Sequence, residues 1–561
     1  MRRLLPGTIL AVLILSGAGL GLVWSLQPAA APDRPKLVVV LVFDQMRGDY
    51  LKKWQPLFGE GGFKRLCNDG AWFTNCHYPY AITLTAPGHT SLLTGCTPNI
   101  HGIVGNEWYD RKVRRRVSAV DAGAEEDEKN FGPQRRLVPT LGDVLLGRSK
   151  NSKMAGLSVK PRSAIFLSAL RAQICYWLSN MGLFETSLHY RKEAHPWIDE
   201  FNASKKVGSY IDQPWDRFKP GLDYAKFSGP DDVAFEGPGY KQGHTFPHPT
   251  PNLGAVVNSP YGNDILLALA KKAIIAEKLG QRDEPDLLCL SFSSNDSVGH
   301  CYGPDSQEVL DITLRSDIIV KDLLDFLDKH IGKGNYAVAL SADHGVCPIP
   351  EVALSQGKDA GYVSQSVFTS DAEAFLRNKF GAKEVPWIEE MEKESYDSHV
   401  FVNPDVFKKL KDITHDDVEK ALAEWLVKQP GIQAAYPRTM LLSKQELKDP
   451  LAEMVRLSVI PDSCGEAVAV LKPYYLVGNP IAKRKKDSHK NYATTHGSAH
   501  SYDTHVPLLI MGQGVRPGVH EDRVAPQAMA FILARMLQIE PPSAAVAKYR
   551  PPESLWKVAG K

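Results

Sequence analysis

Charge imbalance is nearly absent from this chain of 561 residues: 66 Lys and Arg face 64 Asp and Glu, for a formal net charge of +2. A dedicated nucleic-acid surface needs an excess of cations, so that class is set aside. No internal repeat and no low-complexity tract is found, which excludes a repeat array. Several catalytic fingerprints are missing as well. There is no His-Glu-x-x-His, as the usual zinc peptidase requires, and no Gly-x-Ser-x-Gly elbow for a serine hydrolase. Gly512, Gly514 and Gly518 have the wrong spacing for a dinucleotide fingerprint and read as a loop after the last core strand. The eight cysteines define no disulfide framework. Cys67 and Cys76 are near enough in sequence to pair, whereas Cys175, Cys289 and Cys347 lie in or beside apolar segments and read as buried thiols.

What is present is a large folded chain, 43% hydrophobic and 23% charged. One α/β core with insertions accounts for the length. The N-terminus runs Met-Arg-Arg, then an apolar stretch to Leu26, then small residues around Ala29 to Ala31. Residues 1–31 therefore read as a signal peptide or membrane anchor. Arg2 and Arg3 stay inside in either case, which places the rest of the protein in the periplasm or facing the exterior from a membrane anchor.

Leu37 to Phe43 is an apolar, β-branched run followed at once by Asp44. Leu287 to Phe292 and Tyr336 to Leu340 repeat the pattern, ahead of Asp296 with His300 and of Asp343-His344. Strands of a parallel sheet share a direction, so residues just past their carboxyl ends converge on one crevice. The four-residue spacing of Asp296 and His300 aims both at one ion if they lie on a helical turn. Carboxylate mixed with imidazole, without cysteine, favours zinc.

The segment Thr83 to Gly95 contains Thr85-Ala-Pro-Gly-His. Pro87 suits the first turn of a helix, which would set Thr85 just before the N-terminus, where unpaired N–H groups favour an anion. Beside a metal ion that hydroxyl becomes a nucleophile; without one, Thr85 is a helix cap. His89 lies a full turn further on and reads as structural. A sulfatase would need Cys or Ser in place of Thr85 and Arg in place of His89.

Asp44, Thr85-Ala-Pro-Gly-His, Asn106 in Gly-Ile-Val-Gly-Asn-Glu-Trp-Tyr, Ser-Asn-Asp-Ser-Val-Gly-His ending at His300, Asp343-His344-Gly and Thr-His496-Gly-Ser together resemble the alkaline phosphatase superfamily. Within it they are most similar to the PafA-type bacterial phosphatases, close to the nucleotide pyrophosphatase/phosphodiesterases. The resemblance spans nearly the whole chain after the leader. It implies an α/β alkaline-phosphatase-like core, a mostly parallel sheet flanked by helices, with inserted lid subdomains. It also implies two Zn2+ ions, one held by Asp44, Asp343, His344 and the Thr85 oxygen and the other by Asp296, His300 and His496. Thr85 would form a phosphothreonine, Asn106 would donate to a phosphoryl oxygen, and Lys160 and Arg162 would bind the monoester dianion. His500 and His505 compete with His496 in sequence, but His496 carries the matching His-Gly pair, and His505 leads into the strand Val506 to Met511. The segment 166–171, Phe-Leu-Ser-Ala-Leu-Arg, stands where the family commonly has a Gly-His pair and bears on the substrate rim.

The implied activity is hydrolysis of small phosphate monoesters. Two alternatives stay open: a phosphodiesterase or nucleotide pyrophosphatase on the same metals, and a non-catalytic module that binds phosphorylated ligands. Core segments fall near 35–110, 260–350 and 490–545, giving a catalytic domain over 35–545. Inserts at about 111–255, which carries Lys160 and Arg162, and about 351–489 read as covers. A helix capped by Asp305 is expected between the second and third ligand strands, making a βαβ unit. Asp416 to Lys428 reads as a helix and Glu466 to Leu471 as a strand.

Overall fold

The computed structural model describes residues 34–121, 127–381, 384–389, 398–410, 412–480 and 492–557. The leader assigned to residues 1–31 lies outside them. Nine strands form the central sheet: β1 (Leu37–Phe43), β2 (Ala71–Phe73), β3 (Met154–Ser158), β4 (Ile174–Leu178), β5 (Phe184–Glu185), β6 (Asp286–Phe292), β7 (Tyr336–Ser341), β8 (Leu508–Met511) and β9 (Gly518–His520). Their spatial order is β9-β2-β8-β7-β1-β6-β3-β4-β5. Pairing is parallel from β7 through β1, β6 and β3 to β4, while β8 runs antiparallel to both β7 and β2, and β5 antiparallel to β4.

Every residue of β1 is fully buried, as expected of a strand covered on both faces. Fully burying each Val or Leu side chain contributes about 1.5–3 kcal/mol, so this one strand anchors the core. β1 pairs with β6 over Leu37 to Phe43 and with β7 over Leu37 to Val42, so all three strands end at nearly the same level. That register delivers Asp44, the turn before Asp296, and Asp343 to one edge.

The strand and helix predictions need four corrections. The helix between β6 and β7 spans Gln307–His330, and Ser306, not Asp305, caps it by accepting from Val309 N–H. Asp305 instead pairs with Lys53 at 2.8 Å. The βαβ unit exists, but its two strands flank β1 and do not pair with each other. The last long strand begins at Leu508, because Pro507 lacks the N–H a ladder needs and Val506 N–H goes to the Cys76 carbonyl. Finally, the stretch 111–255 is not all insertion, since it supplies β3, β4 and β5. Its aromatic content belongs partly to the core: Tyr176 and Trp177 of β4 are buried.

Residues between 363 and 477 form a second hydrophobic cluster around Phe368, Trp387, Val418 and Leu422. Its helix is His415–Leu426, held by a Thr414–Asp417 capping box, and it packs on a three-stranded sheet containing Ala467–Leu471. Arg111, just past the strand Glu107–Asp110 that follows Asn106, clamps the Glu466 carboxylate of this cluster at 2.5 and 3.0 Å. All eight cysteines are free, Cys67 and Cys76 included.

Candidate metal and nucleophile site

Thr85 opens the helix Thr85–Thr94 as its first residue, and Leu84, at the N-cap, makes no side-chain cap. The hydroxyl is therefore not used as a cap; Thr85 Oγ1 lies 3.4 Å from His344 Nε2. The helix start also offers fewer free donors than its sequence suggests. Ala86 N–H donates to Asn106 Oδ1 at 2.8 Å, and Pro87 has no N–H. Charge at this end must come from side chains.

Two groups of ligand atoms meet at His344, the residue that Thr85 Oγ1 approaches. Asp44, Asp343 and His344 bring one atom each to within 4.8 Å of one another, and Asp296, His344 and His496 do likewise. His344 thus belongs to both groups, where the sequence reading assigns it to one. Its ring stacks on that of His496 with centroids 3.4 Å apart. His300, one turn beyond Asp296 on the helix Ser294–Tyr302, places Nε2 at 3.2 Å from Asp296 Oδ1. His496 Nε2 is 3.6 Å from the same oxygen. His500 and His505 are engaged elsewhere, donating to the carbonyls of Leu471 and Thr74.

The histidine tautomers follow from the backbone. His344, His300 and His496 each direct Nδ1 at a carbonyl, of Gly345 at 2.9 Å, Thr494 at 2.8 Å and Thr83 at 2.8 Å. A carbonyl only accepts, so the proton sits on Nδ1 and the Nε2 lone pair faces inward, as in metal-ligating histidines. Asp44 Oδ1 and Asp343 Oδ2 are buried without a hydrogen-bond partner. Unpaired buried carboxylate oxygens are costly, and a bound cation is the group that relieves them. Oxygen and imidazole donors without sulfur fit zinc.

The electrostatics agree. Burial and then the Asp343 charge push the Asp44 carboxyl up to about 7, against the pull of Lys160 and His344. Burial would also raise Asp296 and Asp343, but His300 and Lys160 hold the first well below the carboxylate range, and His344 and His89 hold the second there. Burial opposes charge on His344, yet Asp343 and then Asp44 outweigh it and lift the imidazole to about 9. The pull that draws a proton to His344 Nε2 favours a metal cation at the same place.

Lys160 follows β3, at the N-cap of the helix Pro161–Leu167. Its ammonium reaches Asp44 Oδ2 at 2.9 Å and Asp296 Oδ2 at 2.5 Å. Burial works against its charge, and Asp296 and Asp44 more than compensate, so the ammonium is held well above its usual range. Arg162 is half-buried in the first turn of that helix and has no carboxylate partner among the described residues. It remains available for an anion. Of the segment 166–171, Phe166, Leu167 and Ala169 pack in the core and Ser168 is buried, while Leu170 and Arg171 are exposed.

Of three further contributors, His89 has the structural role its place in the helix suggests, while Asp503 and Gln45 belong to none of the motifs. His89 is buried, with Nδ1 at 2.8 Å from the Thr85 carbonyl and 3.1 Å from Asp343 Oδ2, and Nε2 at 2.8 Å from Ser291 Oγ. The turn of helix that separates it from Thr85 in sequence brings it against Asp343. Asp503 accepts from the N–H and hydroxyl of Ser498, steadying the loop that carries His496. Gln45 touches both Asp343 and Asp296. Its signal was position, directly after Asp44 at a strand end.

The chain matches the type I phosphodiesterase / nucleotide pyrophosphatase family over residues 38–499. It is 33% identical to alkaline phosphatase PhoV of Synechococcus elongatus, over 93% of this chain and 94% of that protein. It is 32% identical to alkaline phosphatase PafA of Elizabethkingia meningoseptica, over 96% of this chain and 97% of that protein. The crystal structure of wild-type PafA superposes with a TM-score of 0.84 and covers 94% of this chain and all of that one (100%). The protein therefore belongs to the type I phosphodiesterase / nucleotide pyrophosphatase family and, within the alkaline phosphatase superfamily, to its PafA-type branch.

Proposed function

We propose that the protein hydrolyses small phosphate monoesters with two zinc ions and Thr85 as nucleophile. The observation that carries this reading is the setting of Thr85 Oγ1, 3.4 Å from His344, the residue shared by two groups of carboxylate and imidazole ligands. Asp44, Asp343, His344 and Thr85 would hold one ion and Asp296, His300 and His496 the other, with His344 lying between them. When bound, the two ions supply a lowered pKa for the threonine hydroxyl and charge neutralisation at the leaving oxygen.

The chain's own groups do the rest. Thr85 Oγ1 bonds to phosphorus in line as the bond to the leaving oxygen breaks, and water then displaces the phosphoryl group from Thr85 to release inorganic phosphate. Arg162 presents a planar fork to two non-bridging oxygens, and Lys160 adds a point charge beside Asp44 and Asp296. A monoester dianion uses both cations, whereas a diester has a second substituent to accommodate, so the pair favours monoesters. Asn106, steadied by Ala86 N–H on its carbonyl oxygen, donates through Nδ2 to a phosphoryl oxygen. The leader composition supports export to the periplasm, whether it is cleaved or kept as an anchor.

The test is kcat/KM for p-nitrophenyl phosphate and bis-p-nitrophenyl phosphate on zinc-loaded protein. Monoester preference is expected, falling about 10³-fold or more in Thr85→Ala and about 10²–10³-fold in Lys160→Ala/Arg162→Ala. A diester preference indifferent to Lys160 and Arg162 sinks the monoester reading. Phosphate binding without turnover by the wild type sinks the enzyme reading altogether.

A further inference from the structure

Gln45, in the turn after β1, adopts a left-handed conformation, φ 72°, which non-glycine residues seldom adopt and which tends to cluster at functional sites. The residue is 3% exposed. Its backbone N–H donates to Asp343 Oδ1 at 3.1 Å, and its side-chain Nε2 donates to Asp296 Oδ1 at 2.7 Å. Those carboxylates belong to different ligand groups. A carboxylate only accepts, so the amide orientation is settled: Nε2 faces Asp296 and Oε1 faces away.

On that far side is Gly299. A Cβ there would lie 1.9 Å from Gln45 Oε1. Gly299 sits inside the helix Ser294–Tyr302, next to His300, where glycine is a poor helix former. The left-handed backbone goes with the N–H bond to Asp343, and the mid-helix glycine with the space that the glutamine amide fills as it reaches Asp296.

We infer that Gln45 is a positioning residue that fixes Asp296 relative to Asp343, and so the spacing of the two cation sites, with Gly299 as the notch that admits its side chain. This rests on the two-zinc reading above. Asp296 Oδ1, the atom Gln45 holds, is also the one that His300 and His496 approach at 3.2 and 3.6 Å. Lys160 holds the other oxygen. With Gln45 gone, the carboxylate is restrained from one side only.

The experiment titrates chelator-stripped full-length protein with Zn2+ against a chromophoric chelator, alongside kcat, KM and the Tm of the zinc-free protein. Wild type comes first: fewer than two tight zinc sites per chain overturns the two-zinc reading and, with it, this inference. Given two sites, Gln45→Gly and Gln45→Asn are expected to weaken one of them by about 10–100-fold, as loss of an outer-shell partner does, with a comparable drop in kcat and little change in KM. The zinc-free Tm should hold, because glycine and asparagine both tolerate the left-handed conformation. Gly299→Ala should reproduce the loss by evicting the glutamine amide, and should add nothing further in the Gln45→Gly background. Zinc affinity within twofold of wild type in both Gln45 variants, or losses that multiply in the double variant, overturns the inference while leaving the two-zinc reading intact.

Discussion

A threonine hydroxyl is a weak nucleophile by itself, so what distinguishes Thr85 from the other threonines on its helix is its surroundings. Thr90 and Thr94 donate back to carbonyls four residues earlier, at 2.7 and 2.8 Å, and are thereby occupied. Thr85, at the first position, has no such carbonyl to use, and its oxygen faces His344. The same helix depends on another buried histidine for its acid tolerance. His101 accepts Ile103 N–H on Nδ1 and meets Ser91 Oγ at 3.0 Å with Nε2, an arrangement that only the neutral ring satisfies. Burial, then Arg136, pushes its pKa down to about 3. The unfolded chain takes up this proton near pH 6.5 and the folded chain does not. Stability from this group is therefore complete above pH 6.5 and is lost as pH falls toward 3, by on the order of 4 kcal/mol in all. Urea midpoints measured between pH 7 and 4 should fall less steeply in His101→Gln than in wild type. Parallel slopes would contradict the assignment.

Among the elements, the helix Thr85–Thr94 and the loop after β7 approach so closely that their backbones touch. A Cβ on Gly88 would lie 2.2 Å from the Asp343 carbonyl oxygen. Neither partner is a flexible side-chain end, so Gly88→Ala must separate the helix that Thr85 opens from Asp343. The expected cost is about 3 kcal/mol of stability, at the upper end for overpacking, together with a large loss of kcat. Chemical denaturation and phosphatase assays check this, and a variant with native stability and turnover would refute it. A second contact between elements is the Arg111–Glu466 clamp, which ties the hairpin after Asn106 to the second hydrophobic cluster. Glu466 also accepts Val402 N–H at 2.7 Å, so the carboxylate is fully engaged. Glu466→Ala leaves Arg111 half-buried without its partner and should cost about 3–5 kcal/mol, readable as a drop in denaturant midpoint. A loss below about 1 kcal/mol, the range of surface pairs, would show the clamp to be unimportant.

For the whole molecule, the buried acidic centre is the principal electrostatic strain. Asp44 and Asp296 converge on one ammonium, that of Lys160, and Asp343 lies beside His344 and His89, all in a region nearly closed to water. Bound cations relieve this repulsion, and ligands that bind only the folded state stabilise it by mass action. Stripping metal with a chelator should therefore lower Tm by several degrees and abolish phosphatase activity, with both restored by Zn2+. An unchanged Tm in scanning calorimetry would argue against a tightly held metal. No described helix is long and apolar enough to cross a membrane.

Local patterning settles much at this scale. The apolar runs at Leu37, Leu287 and Tyr336 became central strands because nothing but a doubly covered sheet can bury them, and the acids at their ends came to one edge because parallel strands share a direction. The i, i+4 spacing of Asp296 and His300 translates directly into a helical pair. These features depend on contacts within a few residues, which a linear sequence displays.

What it does not display depends on strand order and close approach. That β6 and β7 flank β1 decides that Gln45 lies between Asp296, 251 residues away, and Asp343, 298 away. That β3 pairs with β6 brings Lys160 onto two carboxylates, although its segment reads as part of an insertion. His344 serves both ligand groups because the loop of His496 folds over it, with the two rings stacked. Residue types and strand ends follow from short-range physics, namely burial, pleat and helical turn. Which of them meet is decided by how the sheet orders its strands, a property of the whole chain.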